Sequence, residues 1–588
     1  MLILTGTILV LFTWIVWLAV LVALGLPVAA LFARATVGWL AIRSALWWGL
    51  LIVTVVSYLL NLFVPLHSSA AFVVLVTLVV LAVITSVAIF RTRIRFHGLF
   101  FRGWNSWLPS SAVILAVLYM AMAALGPVTN FDSGLYHLGA ISYAAEYSTI
   151  PGLANIYFPF GYSNAEFPLA ALMGSGPWGA DGFRLLNGLI MFALGADFVI
   201  RLRAPKRSAG TYVIGLGILV AFVPMISLSD YWVTSPSQDS AVLFLTVAAS
   251  AYLTDLVFRA RARLSNAATV FALAVILVLF RPTMVVFGLL ALFVVVVVLW
   301  RARIDLRHCR LGLGVAAALG LLAAGSAALR DYFLSGWLQF PLSIFAFNVP
   351  WRATDPTWNR EATLGYHRNP ASMWNSIEGW EWVAPWFSRL PSQWESYLVL
   401  AGVLCLIVLV VITLWAGVIK GRSVKLIALA MLPSLGMVLF WWFATPPAFR
   451  FAWGPVFTTL TIPAGVLVWL LASGSRRASQ STGRPQVWRS LNAAFVSIPV
   501  VLVVVFSFAF RLNIDSMNQE QNWGLGIRYS VTPIVNSESV QRTLVSGLEI
   551  QVPVDSGLCW QTFPLCTGQI EETVRMRGSE LQDGFLAK

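Results

Sequence analysis

TMVVFGLLALFVVVVVLW, residues 283–300, runs from Thr283 to Trp300 without one charged side chain, and Arg301, Arg303, Arg307 and Arg310 come directly after it. An apolar run within about 17–25 residues is long enough to cross the hydrocarbon core of a bilayer as a helix. Arginines set directly behind such a run mark its cytoplasmic end. The stretch therefore reads as a membrane span. Just upstream, the run 266–280 is short, and Pro282 separates it from the next. These two runs are either two spans or one re-entrant pair.

The same pattern recurs along the chain. Runs at 3–25, 44–64, 70–90, 109–126, 182–200, 211–229, 240–258, 266–280, 283–300, 311–329, 398–418, 426–443, 456–473 and 493–510 predict about 14 spanning helices. The composition agrees. Of 588 residues, 59% are hydrophobic and only 11% charged, whereas a soluble domain carries about 25% charged residues. Disorder is excluded, because it requires low hydrophobicity and high charge. The fold class expected is an all-α polytopic membrane protein. The chain is apolar almost from Met1 and lacks a basic leader region, so 3–25 reads as a retained helix rather than a cleaved signal.

Net charge is +14. The basic residues sit in short loops, as the positive-inside rule requires, so nucleic acid is not an expected partner. Clusters at Arg91–Arg102, Arg201–Arg207, Arg259–Arg263, Arg301–Arg310, Lys420–Lys425 and Arg476–Arg489 fall in alternate loops, so all can be cytoplasmic at once. Dropping one helix would reverse every later cluster. The expected location is the bacterial inner membrane, with both termini extracytoplasmic. Residues 1–510 form the membrane domain, with long outer loops at 127–181 and 330–397. Residues 511–588 form a small extracytoplasmic cap, β-rich or α+β, with Leu548–Val552 as one alternating strand. Cys559 and Cys566 lie in that cap. Outside the membrane they are either a disulfide or two free thiols.

The first outer loop carries the chemistry-bearing residues. It opens Asn130-Phe131-Asp132-Ser133-Gly134-Leu135-Tyr136-His137, and an amphipathic stretch runs on to Tyr147. Asp132 reads as an N-cap or as a general base that takes a proton from an attacking hydroxyl, and the two roles are compatible. Tyr136 and His137 share the helix face with it; packing and interfacial hydrogen bonding are their plainer readings. Asn155 and Glu166 come later in the same loop, and for Glu146 and Glu166 a solvated face is the alternative. Arg281 and Arg450 are apolar-flanked arginines on the outer side, against the positive-inside trend. They suit a lipid phosphate, or else they snorkel to the headgroups. Asp230 and Asp239 more simply end helices, and Asp255 with Arg259 reads as a surface pair. Seven tryptophans from Trp337 to Trp386, in the second outer loop, form an interfacial belt or a binding surface. No His/Cys spacing suits a metal, and no nucleotide-binding loop is present, so no metal or cofactor is expected.

These residues resemble the GT-C glycosyltransferase superfamily: many helices, a long first outer loop with an acid just after a helix, and outward arginines. A bacterial branch of membrane glycosyltransferases is closer. The carrying segments are Tyr136-His137-Leu138, Pro151-Gly152-Leu153-Ala154-Asn155, Cys559-Trp560-Gln561-Thr562-Phe563-Pro564-Leu565-Cys566-Thr567, Arg577-Gly578 and Gly584-Phe585. The resemblance implies transfer of a sugar from a polyprenyl-phosphate donor to a cell-envelope glycan or lipid acceptor, at the outer face, with Asp132 at the position of the base. Tyr136, His137, Asn155, Glu166, Arg281 and Arg450 would bind substrate, and membrane lipids are the surroundings. The chain departs from the simplest members in placing three helices before the one that leads to Asp132. Rival readings are a transporter or flippase of lipid-linked saccharides, a polymerase or ligase of lipid-linked glycans, and a non-catalytic assembly subunit.

Overall fold

The structure, a computed structural model, describes residues 1–32, 39–93, 104–204, 207–259, 264–482, 505, 513–524, 526–554, 556–569 and 571–586. Helices α1 (Leu2–Leu31), α2 (Trp39–Phe63), α3 (Ser69–Arg93) and α4 (Trp104–Ala123) come first. The first long connection holds α5 (Leu138–Glu146) and α6 (Glu166–Gly174). Next come α7 (Leu186–Leu202), α8 (Ala209–Ser227), the single turn α9 (Ser229–Trp232), α10 (Gln238–Phe258), α11 (Leu264–Phe280), α12 (Val285–Arg301) and α13 (Arg310–Ser335). The second long connection holds α14 (Thr357–Arg368) and α15 (Val383–Ser388), and α16 (Trp394–Trp415), α17 (Gly421–Ala444) and α18 (Trp453–Thr482) complete the bundle.

Thirteen of the expected spans coincide with helices. Among the described residues, 11 helices have the length and hydropathy to cross a membrane, and α4 and α11 are shorter apolar helices. The chain is a multi-pass membrane protein. The count of 14 is not reached, because the run 493–510 lies almost entirely outside the described residues. Arg95, Arg102, Lys206, Arg261, Arg263, Arg484 and Arg489 lie outside them too. Helices prevail because lipid offers no partner for a free backbone amide or carbonyl.

Burial sorts the helices. Every residue of α10 from Asp239 to Val257 is buried, which makes it the central helix, packed on every side. By contrast α3 and α16 expose Phe72, Leu81, Ile84, Leu404, Ile407 and Val411, a surface fit for lipid tails. Helices α1 and α2 approach backbone to backbone. A Cβ on Gly25 would overlap the carbonyl of Ala45, and one on Gly49 would overlap that of Leu21. Small residues permit such contacts where water supplies no drive for helix association.

The bundle has two distinct ends. At one, the long connections and the tail knit together. The amide of Thr129 donates to the Asp230 carbonyl at 3.1 Å, that of Ala165 to Leu279 at 3.1 Å, and that of Gly152 to Phe333 at 2.7 Å. Strands β1 (Trp337–Gln339) and β2 (Ile344–Ala346) form a small hairpin in the second long connection. In the tail, β3 (Gln519–Gly524) pairs with β4 (Ile527–Val531), β5 (Ser539–Thr543) with β6 (Glu549–Pro553), and β7 (Arg575–Met576) with β8 (Phe585–Leu586), all antiparallel. The β3–β4 hairpin docks on the bundle. The Tyr529 hydroxyl donates to Asp181 at 3.1 Å, and Arg184 donates to the carbonyls of Gly126 (2.6 Å) and Thr532 (2.8 Å).

At the other end Arg201 donates to Asp197 at 2.8 Å and to Asp255 at 2.7 Å, Trp47 donates to Asp197, and the Gly210 amide caps Asp255. Asp255 is therefore not half of a surface pair. It is fully buried, and Arg259 stands 4.0 Å away as a secondary partner. The sequence displays only the spacing of four, whereas the stronger cation comes from another helix.

Candidate active site

Asn130 builds the turn that presents Asp132. Its side-chain oxygen accepts the amide of Asp132 at 2.9 Å, its carbonyl accepts that of Ser133 at 3.0 Å, and its Nδ2 donates to Tyr231 at 3.4 Å. Ser133–His137 then form a π-helical turn, a wider coil often found at functional sites. Asp132 makes no side-chain cap. Asn130 does that work, so the N-cap reading of Asp132 is overturned and its carboxylate is turned elsewhere. It accepts a hydrogen bond from Arg450 Nη1 at 2.9 Å, with the two side chains 23% and 27% exposed.

Arg450 lies in the short turn Phe449–Phe451 between α17 and α18. Its carbonyl accepts Arg281 Nη1 at 3.3 Å. The guanidinium centres of Arg450 and Arg281 lie 4.9 and 5.3 Å from the Phe451 ring. Arg281, at the end of α11, is also ion-paired with Asp239 in the first turn of α10. Asp239 thus holds a cation rather than merely ending a helix, and Arg281 is already neutralised. A carboxylate and two guanidiniums from distant parts of the chain meet at one end of the bundle. Burial works against the charge on Arg450, but Asp132 and Asp239 outweigh it and hold the group above its ordinary pKa.

Aromatic rings wall this group. The Tyr136 ring meets His137 at 4.5 Å, and Tyr162 and Phe167 at 6.0 Å each. Burial, then the nearby Asp132 charge, raises the Tyr136 hydroxyl well above its usual pKa, so it stays protonated. His137 is buried, with Nδ1 3.3 Å from the Ser133 hydroxyl and Nε2 without a hydrogen-bond partner among the described residues. Burial drops its pKa to about 3, so it is a neutral imidazole. Glu166 is fully buried, which overturns the solvated-face reading; its amide is held by Asn164, and neither carboxylate oxygen has a hydrogen-bond partner among the described residues. Burial, reinforced by Asp239, pushes it well above the carboxylate range.

Asn155 has a different task. Its amide donates to the carbonyls of Trp351 (3.0 Å) and Phe585 (3.4 Å), which spends it on joining the first loop to the second and to the tail. His367 is a neighbour that the sequence does not single out. Its ring lies 5.4 Å from Phe451, and burial, helped by Arg450, lowers it to about 4. A lone histidine in a tryptophan-rich loop gives no signal. Of the seven tryptophans, Trp358, Trp374 and Trp380 are exposed, whereas Trp337, Trp382 and Trp386 are packed inside.

The tail braces the turn. Cys559 and Cys566 are joined by a disulfide, and the loop between them leans on the first long connection. The Trp560 amide donates to the Gly134 carbonyl at 2.9 Å, and a Cβ on Gly134 would come within 2.6 Å of the indole. Phe563 stacks edge-on against Tyr143 at 4.8 Å, and the Leu565 amide donates to the Tyr143 hydroxyl at 3.0 Å. Among the described residues no three His, Cys, Asp or Glu side chains converge as metal ligands. Two apolar cavities of about 430 and 450 Å³ lie between α1, α2, α3, α4 and α7, and neither touches Asp132.

A family model described as Domain of unknown function (DUF8201) matches residues 8–457, and the chain belongs to that family. No curated protein matches. Among solved structures, the chain is similar to the cryo-EM structure of arabinosyltransferase EmbB from Mycobacterium smegmatis, with 13% identity, a TM-score of 0.37, and coverage of 78% of this chain and 46% of that one. The chain thus spans under half the length of that protein.

Proposed function

We propose that the protein is an integral membrane glycosyltransferase. It moves a sugar from a polyprenyl-phosphate donor to a cell-envelope glycan or lipid acceptor. One observation carries the reading: Asp132, Arg450 and Arg281 come together, partly open, at one end of an apolar bundle. That end is the extracytoplasmic face of a bacterial inner membrane, because the basic loops occupy the other. Both termini then lie outside.

The groups suit direct displacement. The acceptor hydroxyl attacks the anomeric carbon, the bond from that carbon to the phosphate oxygen breaks, and the hydroxyl proton passes to Asp132. The departing phosphate gains negative charge as the bond breaks, so a guanidinium bonded to its oxygens stabilises the transition state more than the ground state. Arg450 is that cation. Arg281, neutralised by Asp239, supports it by bonding its backbone. Tyr136, His137 and Glu166, all uncharged, give the charges a neutral wall, of which Tyr136 is the partly exposed member. A single displacement inverts the anomeric centre.

The test is transfer from a panel of radiolabelled polyprenyl-phosphate sugars to membrane acceptors. Asp132→Asn should lower the rate by about 10²–10⁴-fold, the usual worth of a positioned acid or base. Unchanged transfer in that variant, or a retained anomeric configuration, would remove the mechanism.

A further inference from the structure

Resting on that reading, we infer that the Asp132–Arg450 ion pair is an exchangeable latch: a lipid phosphate that takes Arg450 frees Asp132 to act as base, so the donor must be seated before the acceptor is activated.

Three features of the pair support exchange. It is a single hydrogen bond, Nη1 to Oδ2, rather than a two-pronged grip. Both side chains are about a quarter exposed, whereas Arg281 and Asp239 are 8% and 5% exposed and Arg201 with Asp197 is wholly buried. Both of those pairs, the Arg281–Asp239 neighbour and the one at the other end of the bundle, are closed to solvent, whereas this one is reachable. Third, a phosphate presents several oxygens to the planar guanidinium fork and is a better partner for it than one carboxylate oxygen.

Geometry also fixes the consequence of release. The Asp132 amide is held by Asn130, so the carboxylate cannot turn back to cap its own helix. Among the described residues no other cation is bonded to it. Without Arg450 it stays aimed at the same opening. The Arg450 backbone, held by Arg281, stays in place while its side chain moves. Base and leaving-group clamp are thus the two halves of one contact, and they become available together.

The competition makes a prediction of opposite signs. The probe is farnesyl phosphate, with inorganic phosphate and farnesol as the other arms, titrated against the full-length protein in nanodiscs. Arg450→Gln should weaken farnesyl phosphate binding about tenfold or more, since bonds to charged groups are worth that much. Asp132→Asn removes the competing carboxylate and should tighten binding about two- to fivefold, in line with a partly exposed pair. Asp132→Ser should act in the same direction, and each variant is checked for a wild-type melting curve. In the double variant the asparagine should confer no gain, because no arginine is left to liberate.

Unchanged or weaker binding in both Asp132 variants, with Arg450→Gln still weakened, would overturn the latch and leave glycosyl transfer standing. Undiminished binding in Arg450→Gln would overturn the phosphate seat and the latch with it. If inorganic phosphate binds as tightly as farnesyl phosphate, the lipid donor is lost, and with it the proposed order of events.

Discussion

Single residues here titrate in opposite senses, and each gives a stability test. His137 has its pKa lowered to about 3 by burial, against 6.5 for a free imidazole. Between those values the unfolded chain binds a proton that the folded one refuses, so stability is lost as pH falls from about 6.5 toward 3, at up to about 1.4 kcal/mol per pH unit. His137→Asn should flatten that acid limb of apparent Tm in detergent. Glu166 runs the other way. Its folded pKa is raised, so above about 4.5 the unfolded chain sheds a proton that the fold retains, and stability falls as pH rises. Glu166→Gln should therefore gain Tm over wild type, and gain more at pH 8 than at pH 5. A gain independent of pH would mean the carboxyl is ionised inside the fold. Neither behaviour was legible in the sequence. Asp132 could be singled out by its place after a helix, but its partner Arg450 is 318 positions away. Nothing local announces that Glu166 is buried, because its neighbours look like an ordinary loop.

At the scale of elements, the π-turn Ser133–His137 is braced from outside by the disulfide loop. Gly134 is small because Trp560 lies against it. Gly134→Ala forces a methyl group into the indole and should cost about 1–3 kcal/mol, the usual penalty of overpacking. Trp560→Ala leaves a gap instead, so the turn carrying Asp132 loses its outer wall. Its expected signature is a lower transfer rate with farnesyl phosphate affinity no weaker than wild type, since Arg450 comes from a different connection and a displaced Asp132 only competes less for it. Equal loss of both would make Trp560 a general stability residue. The helices themselves were readable, because an apolar run of span length has few alternatives in lipid. The strand at Leu548–Val552 was readable from its alternation, and β6 covers Glu549–Pro553. What could not be read is why Tyr136, Pro151–Asn155, Cys559–Cys566 and Gly584–Phe585 stand out together. The structure supplies the reason: the Phe585 amide donates to the Pro151 carbonyl at 2.9 Å and that of Trp560 to Gly134, so these segments form one joint between loop and tail.

Over the whole molecule, the buried and half-buried ion pairs among the described residues of the bundle gather at its two ends. Asp132, Asp239, Arg281 and Arg450 gather at one, and Arg43, Asp197, Arg201 and Asp255 at the other. The alternation of basic loops foretold two unlike ends, because orientation is written in lysine and arginine counts. It did not foretell the buried lock at the basic end, whose partners come from α2, α7 and α10. Breaking that lock should be a stability lesion only. Asp197→Asn takes the carboxylate from Arg43 and leaves Arg201 with Asp255 alone, and should cost about 3–5 kcal/mol, while transfer per folded molecule stays at the wild-type level, since the lock lies at the opposite end of the bundle from Asp132. The same separation bears on the rival reading of a transporter. Carriers place ionisable groups and broken helices near the bilayer midplane, where substrate must pause. Here α10, the central helix, carries Asp239 and Asp255 at its two ends, with no charged side chain between them. Proteoliposomes holding a fluorescent polyprenyl-phosphate sugar should therefore show no faster loss of inner-leaflet signal to dithionite than protein-free vesicles. Transfer product should form only on the face that carries Asp132. Rapid bleaching of the inner leaflet, blocked by Asp132→Asn, would instead make the ion pairs a gate and the protein a flippase.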